Sequence, residues 1–366
     1  MIWIWIGLIF TLCLPLAAWL ALTLLFRYLK KKQFLDHVVR IFQEKPIFIV
    51  PRGVPIEGAE EVFFPANHNL QLHGCYLRTS ARRRKGVILF GLEFGSNCWS
   101  CLPYCENLLA NGFDIFAFET RNQGESQSSD GYEPLQWVTN FELEDTKSAL
   151  QYLKNRPDAD PSGVGLFGIS KGGSAGLLAA AQDPYVRCFV TDGVFATYTT
   201  MVPYMRKWVT IYSDKYWIQV LLPTWIYRWF GKLGLKRLSR EKRCRFPHLE
   251  RAIRKLAPRP LLMIHGSADT YIKPEMAEAL FKKARHPKQF WLVEGAKHNQ
   301  ALQIAGDEYQ QCVLNFFKSH LAPQEDERTP VRIRDPESLA NGELEKQKGS
   351  ESLMVPVSLK FLPPNS

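Results

Sequence analysis

The chain has 366 residues, enough to bury one large α/β core or two small ones. Hydrophobic residues make up 46% and charged residues 22%, a globular balance. The formal net charge of +10 calls for an acidic partner, and the chain shows no zinc finger or basic DNA-reading helix, so nucleic acid is excluded and an anionic membrane surface is expected.

Residues 2–26 are an uncharged apolar run. As a helix this run would span roughly 37 Å, longer than a hydrocarbon core of about 30 Å. Pro15 would kink it, which membrane helices tolerate, and Trp3, Trp5 and Trp19 suit lipid contact. Arg27, Lys30, Lys31 and Lys32 follow, with no charged side chain before the run. A cleaved signal peptide would need a positive start and a shorter apolar stretch, and both are missing. We therefore expect a transmembrane anchor with a basic flank over 1–32. The positive-inside rule then sets the rest of the chain on the cytoplasmic side. A linker over 33–60 follows, with helical spacing in 33–44.

The eight cysteines are irregularly placed, as expected of reduced, buried thiols in a reducing compartment. Cys98-Trp99-Ser100-Cys101 has metal or redox spacing, but no second ligand pair accompanies it, so no metal site is expected.

Residues 61–64 and 70–77 read as strands joined by a turn at Asn67, His68 and Asn69. Short apolar runs follow at 87–90, 113–118, 164–167, 188–191, 261–264 and 290–293. Such runs suit parallel strands buried on both faces. Helical segments at 101–110, 140–154 and 173–181 separate several of them. This alternation predicts an α/β domain over 61–321, with a mostly parallel sheet and helices on both faces. About 195–257 interrupts the rhythm with tryptophans, tyrosines and many basic residues, and reads as a helical cap. Residues 322–366 are rich in Pro, Glu, Lys and Ser and are expected to be disordered.

Gly168-Ile169-Ser170-Lys171-Gly172 follows an apolar strand and opens a small-residue helix. In that setting Gly-x-Ser-x-Gly forms a sharp turn that lifts a serine hydroxyl above the sheet. The backbone N–H of Lys171 then faces a developing oxyanion at a helix N-terminus. Serine needs a base and an orienting acid, expected in the order Ser, acid, His. Asp269 follows the strand 261–264, and His298 follows the strand 290–293. Asp192 is the reserve acid, and His265 reads as structural. A second oxyanion donor is expected after the strand 87–90, at the N–H of Leu92.

These residues resemble the α/β-hydrolase superfamily over about 70–321. Phe118-Glu119-Thr120-Arg121-Asn122-Gln123-Gly124-Glu125-Ser126 is similar to its Asp-x-Arg-Gly-x-Gly-x-Ser loop, with Glu119 and Asn122 as departures. The superfamily's usual oxyanion His-Gly is Phe90-Gly91 here. The resemblance implies hydrolysis through an acyl-serine without a cofactor. The elbow is also similar to those of acyl-CoA thioesterases, bile-acid acyltransferases and prolyl-oligopeptidase-type peptidases. The expected activity is cleavage of a lipid-like ester at a membrane. A peptidase or amidase, a thioesterase or acyltransferase, and a non-enzymatic scaffold are the alternatives.

Overall fold

The computed structural model describes residues 2–31, 34–44, 50, 52–212 and 222–322. The tail from 323 onward, expected to be disordered, lies outside these. The strands are β1 (Glu60–Pro65), β2 (Gln71–Leu77), β3 (Gly86–Gly91), β4 (Phe113–Phe118), β5 (Val164–Ile169), β6 (Val186–Asp192), β7 (Leu261–Gly266) and β8 (Lys288–Val293). They form one eight-stranded sheet in the order β1-β2-β4-β3-β5-β6-β7-β8. β2 pairs antiparallel with β1 and β4, and the remaining pairs are parallel.

Strands β3 to β7 are almost wholly buried, because helices cover both faces of the sheet. One face packs on α4 (Asn140–Asn155) and α5 (Ser170–Ala180). The other packs on α3 (Leu102–Ala110) and on the C-terminal helix 301–320, which the sequence reading did not pick out. β8 departs from the both-faces-buried expectation: it is an edge strand and half exposed.

The expected N-terminal helix forms as α1 (Ile2–Lys31). Side chains at 4–10 lie outside the described residues, and among the described residues no helix is long and apolar enough to cross a membrane. The fold therefore does not support the transmembrane anchor expected over 1–32. The last turns of α1 instead pack on protein, with the Phe26 ring 5.3 Å from Trp229.

The segment assigned as a linker is also more than that. Helix α2 (Phe34–Gln43) buries Val38, Val39, Ile41 and Phe42 and leaves Arg40 to solvent. Its apolar side joins the core of the cap, which holds α6 (Thr197–Tyr212) and α7 (Thr224–Glu241). A Cβ at Gly234 would lie 2.5 Å from Val38 Cγ1, so glycine permits the close approach of α2 and α7. Trp137 ties the cap to the sheet domain, with its ring 5.3 Å from Phe42 and 5.7 Å from Phe195.

Candidate active site

The C-terminal ends of the parallel strands gather their loops on one rim, where open α/β sheets carry their sites. β5 runs directly into α5 through Ser170, whose φ of 49° is unusual for a residue with a side chain. The flanking glycines make this turn possible. A Cβ at Gly168 would lie 2.3 Å from Gly173 Cα, and one at Gly172 would lie 2.2 Å from Leu92 O. The second contact places the loop after β3 hard against the turn.

The rim brings three of the expected side chains together. Ser170 Oγ lies 3.0 Å from His298 Nε2. His298 Nδ1 lies 2.6 Å from Asp269 Oδ2. Asp269 Oδ1 accepts from the N–H groups of Tyr271 and Ile272 at 2.8 Å, which fixes the carboxylate. With Nδ1–H donated to Asp269, Nε2 presents its lone pair to the serine hydroxyl.

Asp192 does not reach His298 by a hydrogen bond. It accepts from Tyr309 Oη at 3.0 Å, and burial pushes its carboxyl up to about 7. His265 is buried and donates from Nε2 to Ile272 O at 2.7 Å, in keeping with a structural role.

Two features escaped the sequence reading. Lys171 was expected to contribute only its backbone, but its side chain is buried and donates to Glu142 Oε1 at 2.7 Å and Leu135 O at 2.6 Å. Glu142 closes a capping box with Thr139 at the start of α4 and accepts from Tyr132 Oη. The Thr139-x-x-Glu142 spacing was visible as a cap signal, but its partner across the fold was not. The second feature is Glu93, which accepts from Asn299 Nδ2 at 2.5 Å and joins the loop after β3 to the residue after His298. Both Glu93 and His298 line a cleft of about 780 Å³.

The fold also supplies Cys98 with neighbours that sequence spacing could not reveal. His73, Cys98 and Glu119 form the one buried group with metal-ligand geometry among the described residues. Within the group the side chains contact one another and neighbouring residues. His73 contacts Glu119 at 3.0 Å and Glu61 at 2.9 Å. Burial disfavours a charge on His73, yet its bonds to Cys98 and Glu119 outweigh that and raise its pKa to about 10. Glu119 also accepts from the N–H groups of Cys98 and Glu125, which anchors the loop of Arg121, itself paired with Asp145 at 2.6 Å.

Residues 135–324, just over half of the chain, match the prolyl oligopeptidase family. The likeness to that family, read from the elbow in sequence, therefore extends through the cap to the last helix. The chain is 27% identical over 272 residues to the uncharacterised protein YfhR of Escherichia coli O157:H7, covering 73% of this chain and 83% of that one. It is 24% identical over 308 residues to the alpha/beta hydrolase domain-containing protein WAV2 of Arabidopsis thaliana, covering 79% and 91%. The esterase Pf2001 of Pyrococcus furiosus shares the fold, with a TM-score of 0.55 at 18% identity, over 76% of this chain and all of that one. The chain has the α/β-hydrolase fold and belongs to the prolyl oligopeptidase family.

Proposed function

We propose that this protein is a serine hydrolase that cleaves carboxylic esters through an acyl-Ser170 intermediate. The observation that carries the reading is the continuous path from Ser170 Oγ to His298 at 3.0 Å and on to Asp269 at 2.6 Å. In the first half-reaction Ser170 Oγ attacks the ester carbonyl and its proton passes to His298 Nε2. Asp269 orients the imidazole and stabilises its charged form. The backbone N–H groups of Lys171 and Leu92 are assigned to the oxyanion. The C–O bond to the alcohol then breaks, and His298 returns the proton to the leaving oxygen. Water repeats the sequence in reverse and releases the acid. No cofactor enters the scheme.

A second reading, peptide or amide cleavage by the same residues, is favoured by the prolyl oligopeptidase match. A fluorophosphonate probe followed by an ester, thioester and amide panel tests both. Labelling lost in Ser170→Ala, with ester turnover dominant, supports the proposal. Amide turnover dominant over ester would favour the second reading, and no labelling of the native chain would remove both.

We further propose that the protein works against a lipid surface on the cytoplasmic side. Trp19 is 66% exposed, and Trp225 and Trp229 of the cap are 55% and 41% exposed beside it. Trp19, Phe26, Trp225 and Trp229 border one apolar groove, and Arg228 and Lys232 stand on the exposed side of α7. The eight cysteines are free thiols, in keeping with a reducing compartment. Flotation of the full chain with vesicles containing anionic lipid tests this, and a chain that stays at the bottom of the gradient rejects it.

A further inference from the structure

We infer that Glu93 forms a subsite for a protonated primary amine on the leaving-group side of the substrate, a specificity that rests on the serine-hydrolase reading above. Four observations lead there. Glu93 follows Leu92 in the oxyanion loop and lines the cleft of about 780 Å³ together with His298, the residue that would protonate the leaving group. One of its carboxylate oxygens, Oε2, takes the Asn299 amide, while Oε1 has no hydrogen-bond partner among the described residues. The lining of the cleft includes the aromatic residues Trp99, Tyr104 and Tyr271, and aromatic faces attract an ammonium ion. The cations of the same lining, Arg52 and Lys297, are exposed to solvent, and Arg52 Nε is turned to Gly95 O at 3.3 Å.

A half-buried carboxylate with one open oxygen and only a neutral amide as partner is under-neutralised. Burial holds the Glu93 carboxyl above the usual range, against the opposing influence of Asn299 and His298. A bound ammonium would supply the missing opposite charge, through a charge-assisted hydrogen bond in a site partly screened from water. A neutral alcohol in the same place could still donate a hydrogen bond to Oε1 but would leave its charge uncompensated.

Two measurements on the full chain test the subsite. The first is calorimetric binding of benzylamine against benzyl alcohol, which does not depend on turnover. Benzylamine is expected to bind about tenfold or more tightly, the effect of pairing the Glu93 carboxylate with an opposite charge, and Glu93→Gln is expected to erase the difference. The second is kcat/KM for 4-(aminomethyl)phenyl butyrate against 4-(hydroxymethyl)phenyl butyrate, where the native enzyme should prefer the amine by a similar factor. Equal binding of the two ring compounds to the native chain overturns the subsite, as does a preference that Glu93→Gln leaves intact. Should Glu93→Gln fail to fold, the native comparison decides alone. Selective benzylamine binding without fluorophosphonate labelling would leave the subsite standing and remove the hydrolase reading instead.

Discussion

Lys171 and Glu142 meet at 2.7 Å with both side chains buried, which ties the residue after Ser170 to the first turn of α4. The Lys171 ammonium also lies 5.0 Å from the Phe94 ring in the loop after β3. One side chain thus touches three of the pieces that frame the rim.

Removing one partner of this pair leaves a buried charge uncompensated. Lys171→Met is therefore expected to destabilise the protein by about 3 kcal/mol or more, read by urea denaturation. Lys171→Met combined with Glu142→Leu should recover part of that loss. Burial pushes the Glu142 carboxyl up, but Lys171 and the bonds around it hold it below its usual range. The pair's contribution is thus present above the ordinary carboxylate range and lost as pH falls below it toward the lower folded value. The stability gap between native chain and variant should narrow in acid, and a gap that ignores pH would count against the pair.

Ser170→Ala and His298→Ala should each lower ester turnover by about six orders of magnitude, and Asp269→Asn by about four, while leaving thermal unfolding near that of the native chain. Combining them should add little, because the three groups act as a unit. Turnover of His298→Ala close to native would reject the base assignment.

Gly172→Ala should be among the most damaging single-methyl changes, since the added Cβ would sit 2.2 Å from Leu92 O. The loop carrying Leu92 must then move. Initial rates of ester cleavage are expected to fall at least about 100-fold, the effect of losing one oxyanion donor. Unchanged rates would show that Leu92 is not needed.

Asp192 titrates near 7 because it is buried, so in the folded chain it keeps a proton that the unfolded chain has already lost. Its contribution is full in acid and falls as pH rises from about 4 to about 7, by at most about 1.4 kcal/mol per pH unit. Asp192→Asn should therefore raise the melting temperature at pH 8 relative to the native chain and do little at pH 4. A larger gain at pH 4 than at pH 8 would reverse the assignment.

His73 shifts stability in the same direction over a higher pH window. With a folded pKa of about 10, its ion pairs stabilise the fold fully below about 6.5 and are lost as pH rises toward 10. Across that window the native chain should lose stability faster than His73→Gln, as read by melting temperature at stepped pH.

Runs such as 113–118 and 164–167 were legible as strands because burial on both faces removes every polar residue from a short stretch. The Gly-x-Ser-x-Gly turn was legible for a similar local reason: its glycines answer to steric demands within a few residues. Loop acids and bases at 269 and 298 could be ranked because they directly follow strands whose ends share one rim. What distance in sequence hides is which partner a side chain meets. Nothing near Lys171 announced Glu142, and nothing near Glu93 announced Asn299, 206 residues away. The same applies to His73, Cys98 and Glu119, which met only when β2, β4 and the turn at 98–101 came together. Residues 33–44 looked like a tether because a short amphipathic helix does not reveal which surface will cover its apolar side. Local pattern specifies backbone geometry through near-neighbour sterics and burial, whereas charge pairing and helix docking depend on contacts that exist only once the chain has closed on itself.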